Sequence, residues 1–249
     1  MTPLLGAVAV AEERLDATVC AMSDAEAAQP SRLPGWTRAE VVTHLARNAE
    51  SNSSMVAARL RGEQRPQYPG GRSQRAAGIE AGRGRTAAEV LHDLRATVVE
   101  WAWVMSTVGD GEWSWEVPAG VGPRPIAQRV RSRLFEVAVH HADLGLGYTF
   151  RDWPAAFVAD QLDRTLASLA DVRTDAAVAG RWGVGRWLVE VGESVVVTEG
   201  AALAADGAVA GEDAALLAWL LGRESVDSAG LAVSGDATVA ALPEWFPFP

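Results

Sequence analysis

The chain has 249 residues, 49% hydrophobic and 22% charged, which suits a globular protein large enough for one large domain or two modest ones. Its net charge of −10 disfavours nucleic acid as a partner, because phosphate binding needs clustered cations and the counterion release they drive. Every basic residue apart from the four histidines is arginine, so lysine Schiff-base and lysine general-base chemistry are excluded; the single cysteine, Cys20, excludes an intrachain disulfide and a cysteine-rich zinc site.

The first residues lack the basic region of a secretory signal, and no apolar run reaches bilayer-spanning length, so the expected compartment is cytoplasmic and no membrane partner is expected. Residues from about Leu4 to Glu26 alternate with helical period and predict a first helix, with Cys20 read as a small buried residue on it. A Pro/Gly-containing loop over 30–35 leads to Trp36 and to Thr37 with Glu40 three residues later. That pair is a capping box, which starts a helix by satisfying two orphan amides, so a second helix is predicted from Arg38 to about Leu60. Val41, His44, Leu45, Asn48 and Met55 fall along one side of it, which turns His44 toward the protein.

Residues 61–85 are rich in Gly, Arg, Gln and Pro and read as a long surface loop with a short helix over 72–80. Such a loop either supplies cations to an acidic ligand or is a solvated connector. Thr86 with Glu89 is another capping box, and Val90, Leu94, Val98, Trp101 and Met105 give a third helix its apolar stripe, with His92 off that stripe. After a loop over 109–125, Pro125 suits the first turn of a fourth helix, Ile126 to Leu144, ended by Gly145. These segments predict an antiparallel four-helix bundle.

Past Trp153-Pro154 the pattern changes. A helix over 155–170 precedes short β-type runs at 186–191, 194–198 and 230–234, with Gly192-Glu193 as a hairpin signal and a helix over 211–221. The expected fold class is therefore α+β: a helical bundle over 1–152 and a smaller α+β domain over 153–249 containing an antiparallel sheet, with the apolar tail 242–249 packed down.

Glu136 and His140 lie four residues apart, on one face of the fourth helix. A carboxylate and an imidazole on adjacent turns supply two of the three ligands of a zinc site with an open position, and His44 is the natural third. The alternative for His44 is a hydrogen-bonded core histidine. Asp143 is placed either to accept the second imidazole N–H of His140 or to make a helix-end contact. Arg129 and Arg133, seven and three residues before Glu136, pair its carboxylate, meet a ligand anion, or lie on the surface.

Two stretches together resemble the mycothiol-dependent maleylpyruvate isomerase family: Leu33-Pro34-Gly35-Trp36-Thr37 followed by Glu40 and His44, and Glu136 followed by His140, Asp143, Leu144 and Gly145. The resemblance extends over essentially the whole chain and implies a DinB-like four-helix bundle joined to a C-terminal α+β domain. It implies a divalent metal, usually zinc, held by His44, Glu136 and His140, with His141 as the runner-up ligand. It also implies a functional arginine on the C-terminal domain, which falls on Arg223; the bland reading of Arg223 is an exposed residue just past a helix end.

The implied cofactor is mycothiol, a low-molecular-weight thiol. The implied reaction is thiolate addition to the cis double bond of maleylpyruvate, rotation, and elimination to fumarylpyruvate. A thiol S-transferase acting on an electrophile needs the same ligands, and a non-catalytic binding protein of the same fold is the alternative from another class. The expected partners are a small dicarboxylate or electrophile and the thiol.

Overall fold

The computed structural model describes residues 1–119, 122–172, 187–191, 194–197, 207–235, 240 and 243. The chain divides into two compact units, Met1–Thr149 and Phe150–Pro249.

The first unit is built on four long helices: α1 (Thr2–Ala21), α3 (Arg38–Leu60), α5 (Ala87–Ser106) and α6 (Ile126–Asp143). Short helices α2 (Asp24–Ala27) and α4 (Gly71–Glu80) sit in the connections, and α4 occupies the stretch where a short helix was expected. A two-residue ladder of β1 (Glu116–Val117) and β2 (Arg124–Pro125) precedes α6. The first helix is shorter than expected. It stops at Ala21, Met22 is extended, and Ser23 with Glu26 forms a capping box that starts α2. The same Ser-x-x-Glu signal stands in the sequence but is masked there by continuous helical periodicity.

Each long helix packs on two others: α3 on α5 and α6, and α1 on α5 and α6. The side-chain pairs give the directions. His44 meets Glu136 and Asn48 meets Arg133, so α3 and α6 run antiparallel. Glu12 meets Arg133 and Thr18 meets His141, so α1 and α6 run parallel. Asp16 meets Arg95 and Asp24 meets the backbone of Ala87, so α1 and α5 are antiparallel. The bundle is therefore up-down-down-up, and α3 and α5 point the same way. The long connection over 61–86 makes this possible, because it carries the chain back along the bundle before α5 begins.

Leu15, Val19, Val41, Val42, Leu45, Val90, Leu94, Val137 and Leu144 form one core cluster. Cys20 is exposed rather than buried. The helix buries Val8, Glu12, Leu15 and Val19, and residue 20 is rotated about 100° past the last of these. His92 is exposed, as its position off the apolar stripe requires.

The second unit carries helix α7 (Ala155–Val172), strands β3 (Trp187–Val191), β4 (Ser194–Val197) and β5 (Gly207–Ala210), helices α8 (Asp213–Leu220) and α9 (Val226–Ala229), and strand β6 (Ala232–Gly235). The four strands form one sheet in the order β4-β3-β5-β6. β3 and β4 pair antiparallel with Val191 opposite Ser194, as a hairpin around positions 192–193 requires, and β5 pairs antiparallel with β6. The central β3–β5 pair is parallel. The chain goes up β3, down β4 and up β5 on the free edge of β3, so β4 itself supplies the return that a parallel pair needs. β5, Gly-Ala-Val-Ala, has too little β-branched character to stand out as a strand in the sequence. The tail 242–249, expected to pack down, lies outside the described residues apart from Pro243.

α8 is buried from Ala215 to Leu220 and packs on α7. Trp219 is its anchor: it is 1% exposed, and its indole Nε1 donates to the Ala240 carbonyl at 3.2 Å.

Candidate metal centre

The loop over 30–37 ties the start of α3 to the end of α6. The Arg32 amide donates to the Asp143 carbonyl at 2.8 Å, and Arg38 Nε donates to the Leu144 carbonyl at 2.8 Å. Both partners are C-terminal carbonyls of a helix that have no intrahelical donor. Gly145 then turns the chain out with φ +65°, the left-handed conformation glycine adopts without strain. Thr37 accepts from the Glu40 amide, and Glu40 accepts from the Thr37 amide, which fixes the first turn of α3. The Trp36 ring stands edge-on to His44 with centroids 5.5 Å apart. One short segment thus sets the height of His44 against the last turns of α6.

His44, Glu136 and His140 converge there, and one donor atom from each lies within 4.8 Å of the other two. His44 Nε2 is 2.9 Å from Glu136 Oε2, and His140 Nε2 is 3.4 Å from the same oxygen. Ligand atoms on a tetrahedral zinc ion with bonds of about 2.0–2.1 Å sit roughly 3.3 Å apart, and the two distances to Glu136 lie near that value. The two histidine rings meet edge-to-face with centroids 4.8 Å apart. His44 is 1% and His140 6% exposed, whereas the Glu136 side chain keeps 24%, so the carboxylate marks the open side.

Burial pushes the Glu136 carboxyl up, but the hydrogen bonds of His140 and His44 outweigh it and hold it well below the usual carboxylate range. Burial also pulls His44 below its ordinary value, against the pull of Glu136. Both shifts favour the neutral imidazole and the ionised carboxylate, the forms that a metal ion binds. For His140 burial acts downward, and Asp143 with Glu136 overcomes it and raises the group. His140 Nδ1 lies 2.8 Å from Asp143 Oδ2. Asp143 is thus the carboxylate behind the histidine, accepting from Nδ1; with a metal ion bound it would keep the proton on Nδ1 and leave Nε2 free to coordinate. His44 has no such support, because its Nδ1 is buried without a partner.

His141 points elsewhere. Its Nε2 is 2.7 Å from Thr18 Oγ1, and its ring stacks on Tyr148 at 3.8 Å and 3°. It is a core histidine between α1 and the segment after α6, so the runner-up ligand is set aside. One residue along a helix turns a side chain by about 100°, which sends neighbouring histidines to different neighbours.

Neither Arg129 nor Arg133 is a surface residue. Arg133 is fully buried; its Nε donates to Glu12 Oε1 at 2.6 Å, and its Nη1 donates to the Leu45 carbonyl at 2.7 Å and to Asn48 Oδ1 at 3.0 Å. It pairs Glu12 rather than Glu136. Arg129 is 9% exposed. Arg129, Arg133, Glu136, His140 and Asp143 repeat at three- and four-residue spacing, as do His44, Asn48 and Ser51 or Asn52 on α3. Two facing polar stripes of this kind are a sequence signal for a buried polar seam, one that an apolar-stripe search passes over.

In the 61–85 connection, Arg65, Gln67, Tyr68 and Arg75 join Arg47 and Ser51 around a polar hollow of about 290 Å³. The Arg75 guanidinium is close enough to work against protonation of His44. Arg223 lies in the second unit, just past α8, where Gly222 takes φ +68° and Arg223 Nη1 donates to the Leu221 carbonyl at 2.8 Å. Its backbone amide caps the Ala218 carbonyl at 2.9 Å. Among the described residues no helix is long and apolar enough to cross a membrane.

The bundle brings together a His/Glu/His donor set of the kind that could hold a metal ion. A family model described as the mycothiol maleylpyruvate isomerase N-terminal domain matches residues 8–145, and the chain belongs to that family. The crystal structure of the mycothiol-dependent maleylpyruvate isomerase is similar to it with a TM-score of 0.79 and 20% sequence identity, over 95% of this chain and 94% of that one. The structure of a histidine-to-alanine mutant of the isomerase matches to the same extent. At that identity the likeness is one of fold. No curated protein sequence matches the chain.

Proposed function

We propose that the chain is a metal- and thiol-dependent cis–trans isomerase that converts maleylpyruvate to fumarylpyruvate with mycothiol as the thiol. The observation that carries this reading is the convergence of His44, Glu136 and His140 on one point at the open side of a family-defining bundle. The donor set, two imidazoles and one carboxylate with a free direction, fits zinc. When bound, such a cation stabilises the deprotonated form of a coordinated thiol, the nucleophile that reversible addition to a conjugated double bond requires.

The chain's own residues do the rest. Asp143 orients His140, and the loop over 30–37 fixes His44. Partly buried Glu136 is the most accessible of the three and leaves an entry for small molecules. No protein nucleophile is needed, in keeping with a chain that has no lysine and whose one cysteine lies on the outer face of α1. Arg223 is proposed as a carboxylate-binding residue; a guanidinium binds carboxylate in a two-point fork, and the family resemblance supports the choice.

Metal analysis of protein purified without chelator, combined with a maleylpyruvate assay at varied thiol, tests the reading. Wild type is expected to hold about one metal ion per chain and to turn over only with thiol present. His44→Ala and Glu136→Ala are each expected to lose metal and turnover together. Turnover by metal-free protein sinks the proposal. Consumption of one thiol per product identifies a transferase instead.

A further inference from the structure

α3 and α6 meet in successive polar levels, and each step of about one turn up α3 matches one turn down α6. At the first level His44 faces Glu136, and at the second Asn48 faces Arg133; both pairs are bonded. The same register sets Asn52 level with Arg129, one turn further on. At this level Asn52 Nδ2 turns back to the Asn48 carbonyl instead of crossing to α6. Arg129 Nε and Asn52 Oδ1 are both buried without a hydrogen-bond partner.

Arg129 is nine-tenths buried and forms no ion pair with any described residue. The charged groups it feels are Arg124, a second cation, and Glu136, whose carboxylate is already taken by two histidines. An enclosed guanidinium with no carboxylate in direct contact is unfavourable, in contrast to Arg133, which has Glu12. A fold keeps such a group where an anion arrives to neutralise it.

We propose that Arg129, two helical turns along α6 from Glu136, binds a carboxylate of the ligand that enters at the His44–Glu136–His140 triad. The inference rests on the proposed function in one respect only, that the ligand is a small dicarboxylate. One of its two carboxylates would then call for the Arg129 guanidinium. The guanidinium fork offers parallel N–H donors, with Nε among those still unused.

Maleate, a cis-dicarboxylate that carries no thiol, is the probe. Its affinity is measured by calorimetry for the metal-loaded full chain, with Arg129→Gln and Arg129→Lys beside wild type, together with metal content and the ligand-free melting temperature. Wild type is expected to bind maleate, Arg129→Gln to bind it on the order of tenfold to a hundredfold more weakly, and Arg129→Lys to fall between. Metal content is expected to stay unchanged, and the ligand-free Arg129→Gln protein to melt no lower than wild type, because it has shed an uncompensated buried charge. A purely structural arginine gives the reverse: a lower melting temperature and undiminished maleate binding.

Equal binding by wild type and Arg129→Gln, or no binding by wild type, overturns the inference. Isomerisation of maleylpyruvate with an unchanged KM in Arg129→Gln overturns it while the proposed function stands. Arg129-dependent maleate binding in a protein that does not isomerise maleylpyruvate leaves the anion site standing and removes the isomerase.

Discussion

Asp143 and His141 show how sharply one position along a helix separates roles. Asp143 lies three residues after His140, on the same face, and accepts its Nδ1–H; His141, one residue after, is turned away to Thr18 and Tyr148. Removing the carboxylate that orients a ligand histidine typically weakens metal binding by about tenfold to a hundredfold without abolishing it. Asp143→Asn is therefore expected to lower metal affinity by that order while the protein stays folded, read by competition with a chromogenic chelator. His141→Phe, which keeps the stacked ring, is the control and is expected to leave metal affinity unchanged. If Asp143→Asn binds as tightly as wild type, the tautomer of His140 is set by something other than Asp143.

At the scale of elements, capping boxes fix where α2, α3, α5 and α9 begin, and at α3 the cap also sets the height of His44. Burial pushes Glu40 up, but hydrogen bonds from the Thr37 amide and hydroxyl, with help from Arg83, outweigh it and leave the carboxyl below its ordinary range. A carboxyl with a folded value below its unfolded value stabilises the fold above the unfolded pKa, about 4.3, and loses that contribution as pH falls through the folded value. Thr37→Ala is expected to cost about 1 kcal/mol at pH 7, and the gap to wild type to narrow between about pH 5 and pH 3, measured by urea unfolding. A gap that widens in acid contradicts the assignment of the cap as a charge-assisted contact. Because Trp36 and Arg38 flank the cap, the variant is also expected to bind metal less tightly.

On the scale of the whole molecule, the first unit alone contains the three donors, Asp143 and the loop that aligns them, whereas Arg223 belongs to the second. Metal binding and substrate binding should therefore separate by mutation. Arg223→Ala is expected to keep its metal and to raise KM for maleylpyruvate by on the order of tenfold or more. Full turnover at unchanged KM removes Arg223 from the substrate-binding role. The up-down-down-up course of the bundle matters here too. It places α1 parallel to α6, which is what brings Glu12 opposite Arg133 and leaves Arg129, one turn lower, without a carboxylate.

The shared face of Glu136 and His140, the two capping boxes on the long helices and the α+β fold class were legible in the sequence, because each rests on local spacing: four residues for Glu136 and His140, three for Thr37 and Glu40, a change of period after the last bundle helix. The inward turn of His44 followed from the same helical arithmetic. Helix direction, the parallel β3–β5 pair, the burial of Arg129 and Arg133 and the exposure of Cys20 did not follow. A charged side chain reads as solvent-facing until its partner is known, and the partner of Arg133 lies 121 positions away on α1. Spacing along one helix says which residues share a face. Only the packing of helices distant in sequence decides what that face meets, and so which buried charge is satisfied and which is left waiting for a ligand.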